Sequence, residues 1–101
     1  MSDTSTDDDI QTVRVEGELD KNSVPGRLKK SANWFSAGHE TVIDLGGVVR
    51  ADSAGVALLL EWMRDARRAG TTLRFANAPA QMRAIIDFSG LGDVIDVSGR
   101  T

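Results

Sequence analysis

Thr41-Val42-Ile43-Asp44-Leu45 is the segment that most narrows what this chain can become. Its apolar residues fall on both phases of strand alternation, as expected for a central strand covered on more than one face. The stretch from Gly46 to Ser53 reads as a turn, and the strongest helix signal in the chain follows, from Ala54 to Ala69, closed by Gly70. Arg64, Arg67 and Arg68 stand near that helix's C-terminal end, where cations complement the helix dipole. A buried strand delivered into a helix start is the core of a layered α/β unit, and it places one hydroxyl, that of Ser53, at the helix start.

The flanking segments fit the same plan. Thr12-Val13-Arg14-Val15-Glu16 alternates β-branched and charged residues, the period of a strand with one buried face, and predicts a first strand near the sheet edge. Ser23 stands where a cap is needed and Pro25 is tolerated in a first turn, so a helix is expected from there to about Phe35, with Val24, Leu28, Ala32 and Phe35 as its buried stripe. Gly38 ends it. Thr72-Leu73-Arg74-Phe75 predicts another short strand, and Ala78-Pro79 opens a last helix with Met82, Ile85 and Ile86 inward. Gly90-Leu91 resembles a glycine C-cap with its trailing apolar contact. Val94 to Val97 fits either a final strand or a helical turn. Strands and helices thus alternate with short connections, predicting an α/β fold: a mixed, mainly parallel β-sheet with right-handed crossovers and α-helices packed against it.

The 101 residues suffice for one compact domain, expected over 10–101. Residues 1–9 are read as a disordered acidic tail. Asp3, Asp7, Asp8 and Asp9 carry four of the fifteen acidic charges, and the remaining eleven nearly balance twelve Lys and Arg. The expected domain therefore has no basic field of the kind nucleic-acid binding requires. The chain has no cysteine, which removes structural disulfides, thiolate zinc sites and cysteine nucleophiles, and agrees with the cytoplasmic location expected here. Met1 to Asp9 has neither the apolar run nor the basic residues of a targeting signal. The longest apolar run, Val56 to Leu60, is far short of the roughly 20 residues a spanning helix needs, so no direct membrane insertion is expected.

Signatures of catalysis fail one by one. Gly46, Gly47 and Gly55 suggest a phosphate loop, but that motif needs Lys and then Ser or Thr after its last glycine, where this chain has Val56 and Ala57. His39 is the sole histidine and has no cysteine companions, so neither a zinc cluster nor a histidine-dependent triad assembles. Asp44 and Asp52 are the carboxylates to watch, both expected at the carboxyl side of the central strand, where open α/β sheets place ligands. Their structural roles would be to end that strand and to order the turn. No catalysis, metal or cofactor is expected. The glycine turn and helix start also suit an anion seat for a small molecule or nucleotide.

Ser53 carries more. As a helix cap it would be worth about 1 kcal/mol over Ala. A phosphate on the same oxygen would bring roughly −1.5 to −2 charges, tolerable to the helix but adverse to a docked partner. On the helix beyond, Val56, Leu59, Leu60 and Met63 cluster as the core side, whereas Leu58 and Trp62 fall nearly opposite and need a cover of their own. That cover is either a neighbouring part of the chain or a partner. The expected docking surface comprises Asp52, Ser53, Ala54, Gly55, Leu58 and Trp62, with Ser53 also a candidate phosphoacceptor.

Gly17-Glu18-Leu19-Asp20, Val42-Ile43-Asp44-Leu45, Asp52-Ser53-Ala54-Gly55 and Gly90-Leu91 together resemble the STAS domain family, to which anti-sigma-factor antagonists belong. The likeness spans Val13 to Val97. It implies that Ser53 matches the serine or threonine that a cognate kinase phosphorylates or that touches the partner. Ala57-Leu58-Leu59-Leu60-Glu61-Trp62 and Ala66-Arg67-Arg68-Ala69-Gly70, with a smaller contribution from Trp34-Phe35, look most like the MlaB-type branch, the small subunits of ABC phospholipid transporters. That resemblance implies a non-catalytic accessory subunit that binds an MlaF-like ATPase, and through it the permease, at the inner membrane, in support of outer-membrane lipid asymmetry. The alternative it leaves open is an anti-sigma-factor antagonist whose partner is an anti-sigma factor kinase.

Overall fold

The computed structural model describes residues 10–97, so the acidic segment 1–9 lies outside the described residues. Three strands and three helices alternate: β1 (Ile10–Leu19), α1 (Val24–Lys30), β2 (Glu40–Ala51), α2 (Ser53–Ala69), β3 (Thr72–Ala76) and α3 (Ala80–Phe88). The strands form one sheet in the order β1-β2-β3, and both pairings are parallel. The expected α/β architecture is present, and among the described residues the sheet is wholly parallel rather than mixed. With this strand order, two crossovers of the same hand, the right hand being the rule for parallel strands, carry α1 and α2 to the same sheet face. There α2 packs against α1 on one side and α3 on the other.

Alternation along β1 sorts its side chains. Val15 and Leu19 enter the core, while Thr12, Arg14, Glu16 and Glu18 are exposed on the opposite face. Val42, Ile43 and Leu45 of β2 are all buried, as the doubled apolar phase requires. Ile43 and Leu45 join Val56, Leu59, Phe75, Met82, Ile86 and Ile95 in the core. Val42 stands in register between Thr12 and Arg74. The outer face is tied by ion pairs, Arg14 to Glu16 at 2.8 Å and to Asp44 at 3.3 Å, and Arg74 to Glu40 at 2.9 Å.

Beyond Leu45 the chain does not turn as predicted. β2 continues to Ala51 because it stays paired with β1 through two bulges, each adding a residue to β2: Arg14 opposes Asp44 but Glu16 opposes Gly47, and Gly17 opposes Val48 but Glu18 opposes Arg50. The glycine that looked like a turn signal serves a close approach, since a Cβ on Gly47 would lie 2.6 Å from Glu16 Cγ and 3.1 Å from the Val15 carbonyl oxygen. Val49 is the unmatched residue of the second bulge and is exposed.

α1 also departs from expectation. It ends at Lys30 rather than near Phe35, because Ser31 turns inward: its hydroxyl donates to the Leu28 carbonyl at 3.1 Å and accepts from Trp62 Nε1 at 2.8 Å. Ala32 is consequently exposed, whereas Trp34 and Phe35 fold back against the core. Ser23 precedes α1 but does not cap it; its hydroxyl donates to the Glu18 carbonyl at 2.8 Å and accepts from Asp20 N–H at 3.0 Å. At the other end of the chain the Gly90-Leu91 cap is present, with Gly90 at φ 74° and Leu91 N–H donating to Ile86 O at 2.9 Å. The segment after it is a turn, since Val94 and Ile95 N–H groups both reach Leu91 O, and that turn buries Ile95.

Candidate docking site

The C-terminal ends of β1 and β2 and the start of α2 meet at one end of the sheet. Asp52 N–H donates to the Leu19 carbonyl at 3.2 Å, and its carboxylate Oδ1 accepts from Ala54 N–H at 2.8 Å. Asp52, in extended conformation, is therefore the N-cap of α2, and Ser53 is the first helical residue. This corrects the assignment of the cap to Ser53. Two replacements separate the roles: Asp52→Ala is expected to lower stability by about 1 kcal/mol in chemical denaturation, whereas Ser53→Ala stays within about 0.5 kcal/mol.

Freed from capping, Ser53 is exposed, and among the described residues no hydrogen bond engages its hydroxyl. Ala54 is half-buried beside it. Gly55 is buried, and a Cβ there would lie 2.6 Å from the Leu19 carbonyl oxygen and 2.9 Å from Leu19 Cβ. Its place is beneath the helix, against β1, and not on the docking surface where the sequence put it.

The largest correction concerns Leu58 and Trp62. The wheel set them nearly opposite the core side, but both are core residues, 1% and 0% exposed, in the same cluster as Val56 and Leu59. The cover over Trp62 is the segment that follows α1. The Trp62 indole N–H bonds to Ser31, and its ring lies 5.3 Å, centroid to centroid, from that of Trp34. An outward docking pair is excluded by that burial.

What α2 does expose is a different stripe. Ser53, Ala57, Arg64 and Arg68 follow one another at helical spacing on the solvent side, with Ala54, Leu60 and Glu61 partly exposed along its flanks. Sequence reasoning missed this ridge because it took Leu58 and Trp62 for the outward side, whereas they belong to the buried side with Gly55, Val56, Leu59 and Ala66. Arg64 bridges to Glu61 at 2.9 Å and Arg68 to Asp65 at 2.7 Å, both within the helix.

Beside the start of α2 lies a polar hollow of ≈ 330 Å³ whose lining includes Asp20, Lys21, Arg50, Asp52 and Gln81. Gln81 Oε1 accepts from Ala51 N–H at 3.1 Å, which ties α3 to the end of β2. Asp20 accepts from the backbone N–H groups of Ser23 and Asn22 and faces Arg50 at 3.5 Å; the Ser23 bond first, then that of Asn22, holds its carboxyl below the ordinary range.

Asp44 does not join Asp52. It lies eight residues earlier in the chain, roughly 25 Å along an extended strand, on the outer sheet face. There it accepts from Gly46 N–H at 2.8 Å and Asn77 Nδ2 at 3.1 Å and pairs with Arg14. Those contacts, the Gly46 bond foremost, lower its pKa. A carboxyl whose folded pKa is depressed stabilises fully above its unfolded pKa of about 3.9, and that stabilisation is lost as pH falls through the folded value. The denaturation midpoint of the native protein is therefore expected to drop more steeply below about pH 4 than that of Asp44→Asn.

Among the described residues no cluster of three or more His, Cys, Asp or Glu side chains could hold a metal ion, and no helix is long and apolar enough to cross a membrane. What the fold and site define is a layered α/β domain presenting an uncommitted serine at the start of a long helix. The chain belongs to the STAS domain family: the family described as "Mlab, STAS domain" matches residues 2–96. The chain is similar to the anti-sigma F factor antagonist of Lysinibacillus sphaericus, 41% identical over 83 residues that cover 79% of this chain and 70% of that protein. It is also similar to the intermembrane phospholipid transport system binding protein MlaB of Haemophilus influenzae, 27% identical over 97 residues, 92% of each chain. Among solved structures, the anti-sigma factor antagonist SpoIIAA in its unphosphorylated form superposes with a TM-score of 0.68 at 25% identity, covering 90% of this chain and 81% of that one.

Proposed function

We propose that this protein is a non-catalytic STAS subunit that docks, through the α2 ridge beginning at Ser53, on the cytoplasmic ATPase of an ABC phospholipid transporter, an MlaF-like partner. Through that ATPase it acts at the permease and supports assembly and activity of the complex in outer-membrane lipid asymmetry. The observation that carries the docking surface is the division of labour at the helix start: Asp52 caps, so the exposed Ser53 hydroxyl remains available, beside Ala54 and Ala57, whose small side chains allow close approach. The transport assignment is supported by the MlaB description of the matching family and by likeness to MlaB over nearly the whole of both chains. Binding restricts the ATPase to its active arrangement, and this chain supplies surface rather than chemistry.

A second reading has its own support. The 41% identity to an anti-sigma F factor antagonist and the likeness to SpoIIAA favour a partner-switching antagonist in which a serine kinase phosphorylates Ser53. The same exposed hydroxyl suits it.

Affinity capture from the native host, followed by quantitative binding, separates the two. Copurification with an ABC ATPase and permease, and binding to that ATPase weakened about tenfold or more by Ser53→Glu, equivalent to roughly 1.4 kcal/mol, is the expected result. Undiminished ATPase binding by a folded Ser53→Glu variant would refute docking through this ridge. Capture of a kinase-like anti-sigma factor that transfers phosphate to Ser53 would overturn the transport reading in favour of the second.

A further inference from the structure

Among the described residues four large apolar side chains face solvent: Ile10, Val49, Val94 and, at 96% exposure, Phe88, the last residue of α3. The Phe88 ring belongs neither to the buried core nor to the side chains packed against it. α3 is held without it. Met82 and Ile86 are its buried residues, and the glycine cap closes the helix through Leu91 N–H to Ile86 O. Leaving a phenyl ring in water forgoes the stabilisation that its burial would bring, and the fold gains nothing in exchange.

Its place relative to Ser53 follows from the two helices. Gln81, in the first turn of α3, bonds to Ala51, two residues before Ser53, so α2 and α3, which pack on each other, start at one level. Leu60 lies seven residues beyond Ser53 and Phe88 seven beyond Gln81, each roughly 10 Å of helix rise. With packed helix axes roughly 8–10 Å apart, Ser53 and Phe88 fall within roughly 20 Å of each other. A partner footprint of about 800 Å², roughly 30 Å across, spans both. Leu60 and Ile85, each half-buried, add apolar surface on the same two helices.

The charges from Ala80 to Val97 are Arg83 against Asp87, Asp93 and Asp96, a net acidic end. Asp87 and Asp93 are exposed and make no ion pair among the described residues. Such an end is repelled by an anionic bilayer, and in a twofold dimer built on Phe88 it would face its own like charges. We propose that Phe88 is the aromatic anchor of the docking surface: the protein that seats on Ser53 takes this ring into an apolar pocket whose rim carries Lys or Arg side chains toward Asp87 and Asp93. This rests on the docking reading above and adds the partner's chemistry to it. Large aromatic side chains in desolvated pockets carry much of the affinity of protein interfaces, and charge matching at the rim sets encounter rate and salt dependence.

The test measures binding of full-length variants to the captured ABC ATPase by titration calorimetry, beside their urea midpoints. Phe88→Ser is expected to keep the native midpoint and to weaken ATPase binding about tenfold or more, while Phe88→Tyr, which keeps the ring, binds close to the native level. The Asp87→Lys/Asp93→Lys variant should bind more weakly, by a margin that shrinks as salt rises. Native binding by Phe88→Ser, where Ser53→Glu binds poorly, overturns this inference alone. Binding indifferent to Ser53→Glu overturns the docking reading and this inference with it. Retention on phosphatidylglycerol vesicles that Phe88→Ser abolishes, or a dimer in sedimentation equilibrium that Phe88→Ser dissolves, hands the ring to a lipid surface or a second copy and overturns the proposal. A lowered urea midpoint for Phe88→Ser does so too, by giving the ring a task in the fold.

Discussion

Trp62→Ala is expected to destabilise the protein by about 3–5 kcal/mol, the usual loss for deleting a fully buried large aromatic side chain. Three contacts disappear together. The ring is fully buried in the core cluster, its indole N–H bonds to Ser31 Oγ at 2.8 Å, and its face lies against Trp34. Ser31 is itself 1% exposed, so losing the indole N–H strips one buried hydroxyl of a partner. Urea denaturation checks it, and Trp62→Phe, which keeps most of the ring volume but not the donor, should recover a large part of the loss. A docking residue would behave in the opposite way, with unchanged stability and weakened partner binding. A Trp62→Ala denaturation midpoint equal to that of the native protein would overturn the core assignment.

Gly55→Ala is the second large effect. The added Cβ would lie 2.6 Å from a backbone carbonyl oxygen of β1 and 2.9 Å from Leu19 Cβ, neither of which is the free end of a flexible side chain. The first turn of α2 must lift from the strand, and overpacking of this kind costs about 1–3 kcal/mol even though alanine is the better helix former. Because Asp52 is anchored to the same Leu19 carbonyl through its N–H, the shift reaches the cap and Ser53. Partner binding should therefore weaken by more than the change in folded fraction explains, measured at a denaturant-free concentration where the variant is folded. Ser53→Ala, which disturbs neither contact, is the control for stability.

Much of the fold is legible in local patterns. The two-phase apolar run of β2, the alternation of β1, the glycine caps at Gly70 and Gly90 and the periodicity of α2 each carry their own physical reason, and the helix and strand order follows from them. What escaped depends on contacts between distant segments. Gly46-Gly47 has the composition of a turn, and only the bulged pairing with Arg14 to Leu19 keeps it in a strand. The wheel set Trp62 and Leu58 apart as a second apolar face, whereas they share one broad buried side with Gly55, Val56, Leu59 and Ala66. The cover over Trp62 comes from Ser31 and Trp34, far earlier in the chain, and a wheel drawn for one helix contains no neighbour. At the candidate site, Asp52 and Ser53 are both good capping types, and which one takes the role is set by the hydrogen bond between Asp52 N–H and Leu19 O. One residue of difference in the helix boundary changes Ser53 from a structural residue into a free one.

The cap at Asp52 has an evolutionary consequence. Where a single serine both starts a helix and meets a partner, any change in recognition alters folding as well, and substitutions there are filtered twice. Here the two duties sit on adjacent residues, and position 53 is exposed with no hydrogen bond to its hydroxyl among the described residues. Mutational drift at that position, to threonine, alanine or an acid, is penalised only through the partner. A domain built this way can change allegiance by trial at one surface position while the scaffold beneath it remains intact.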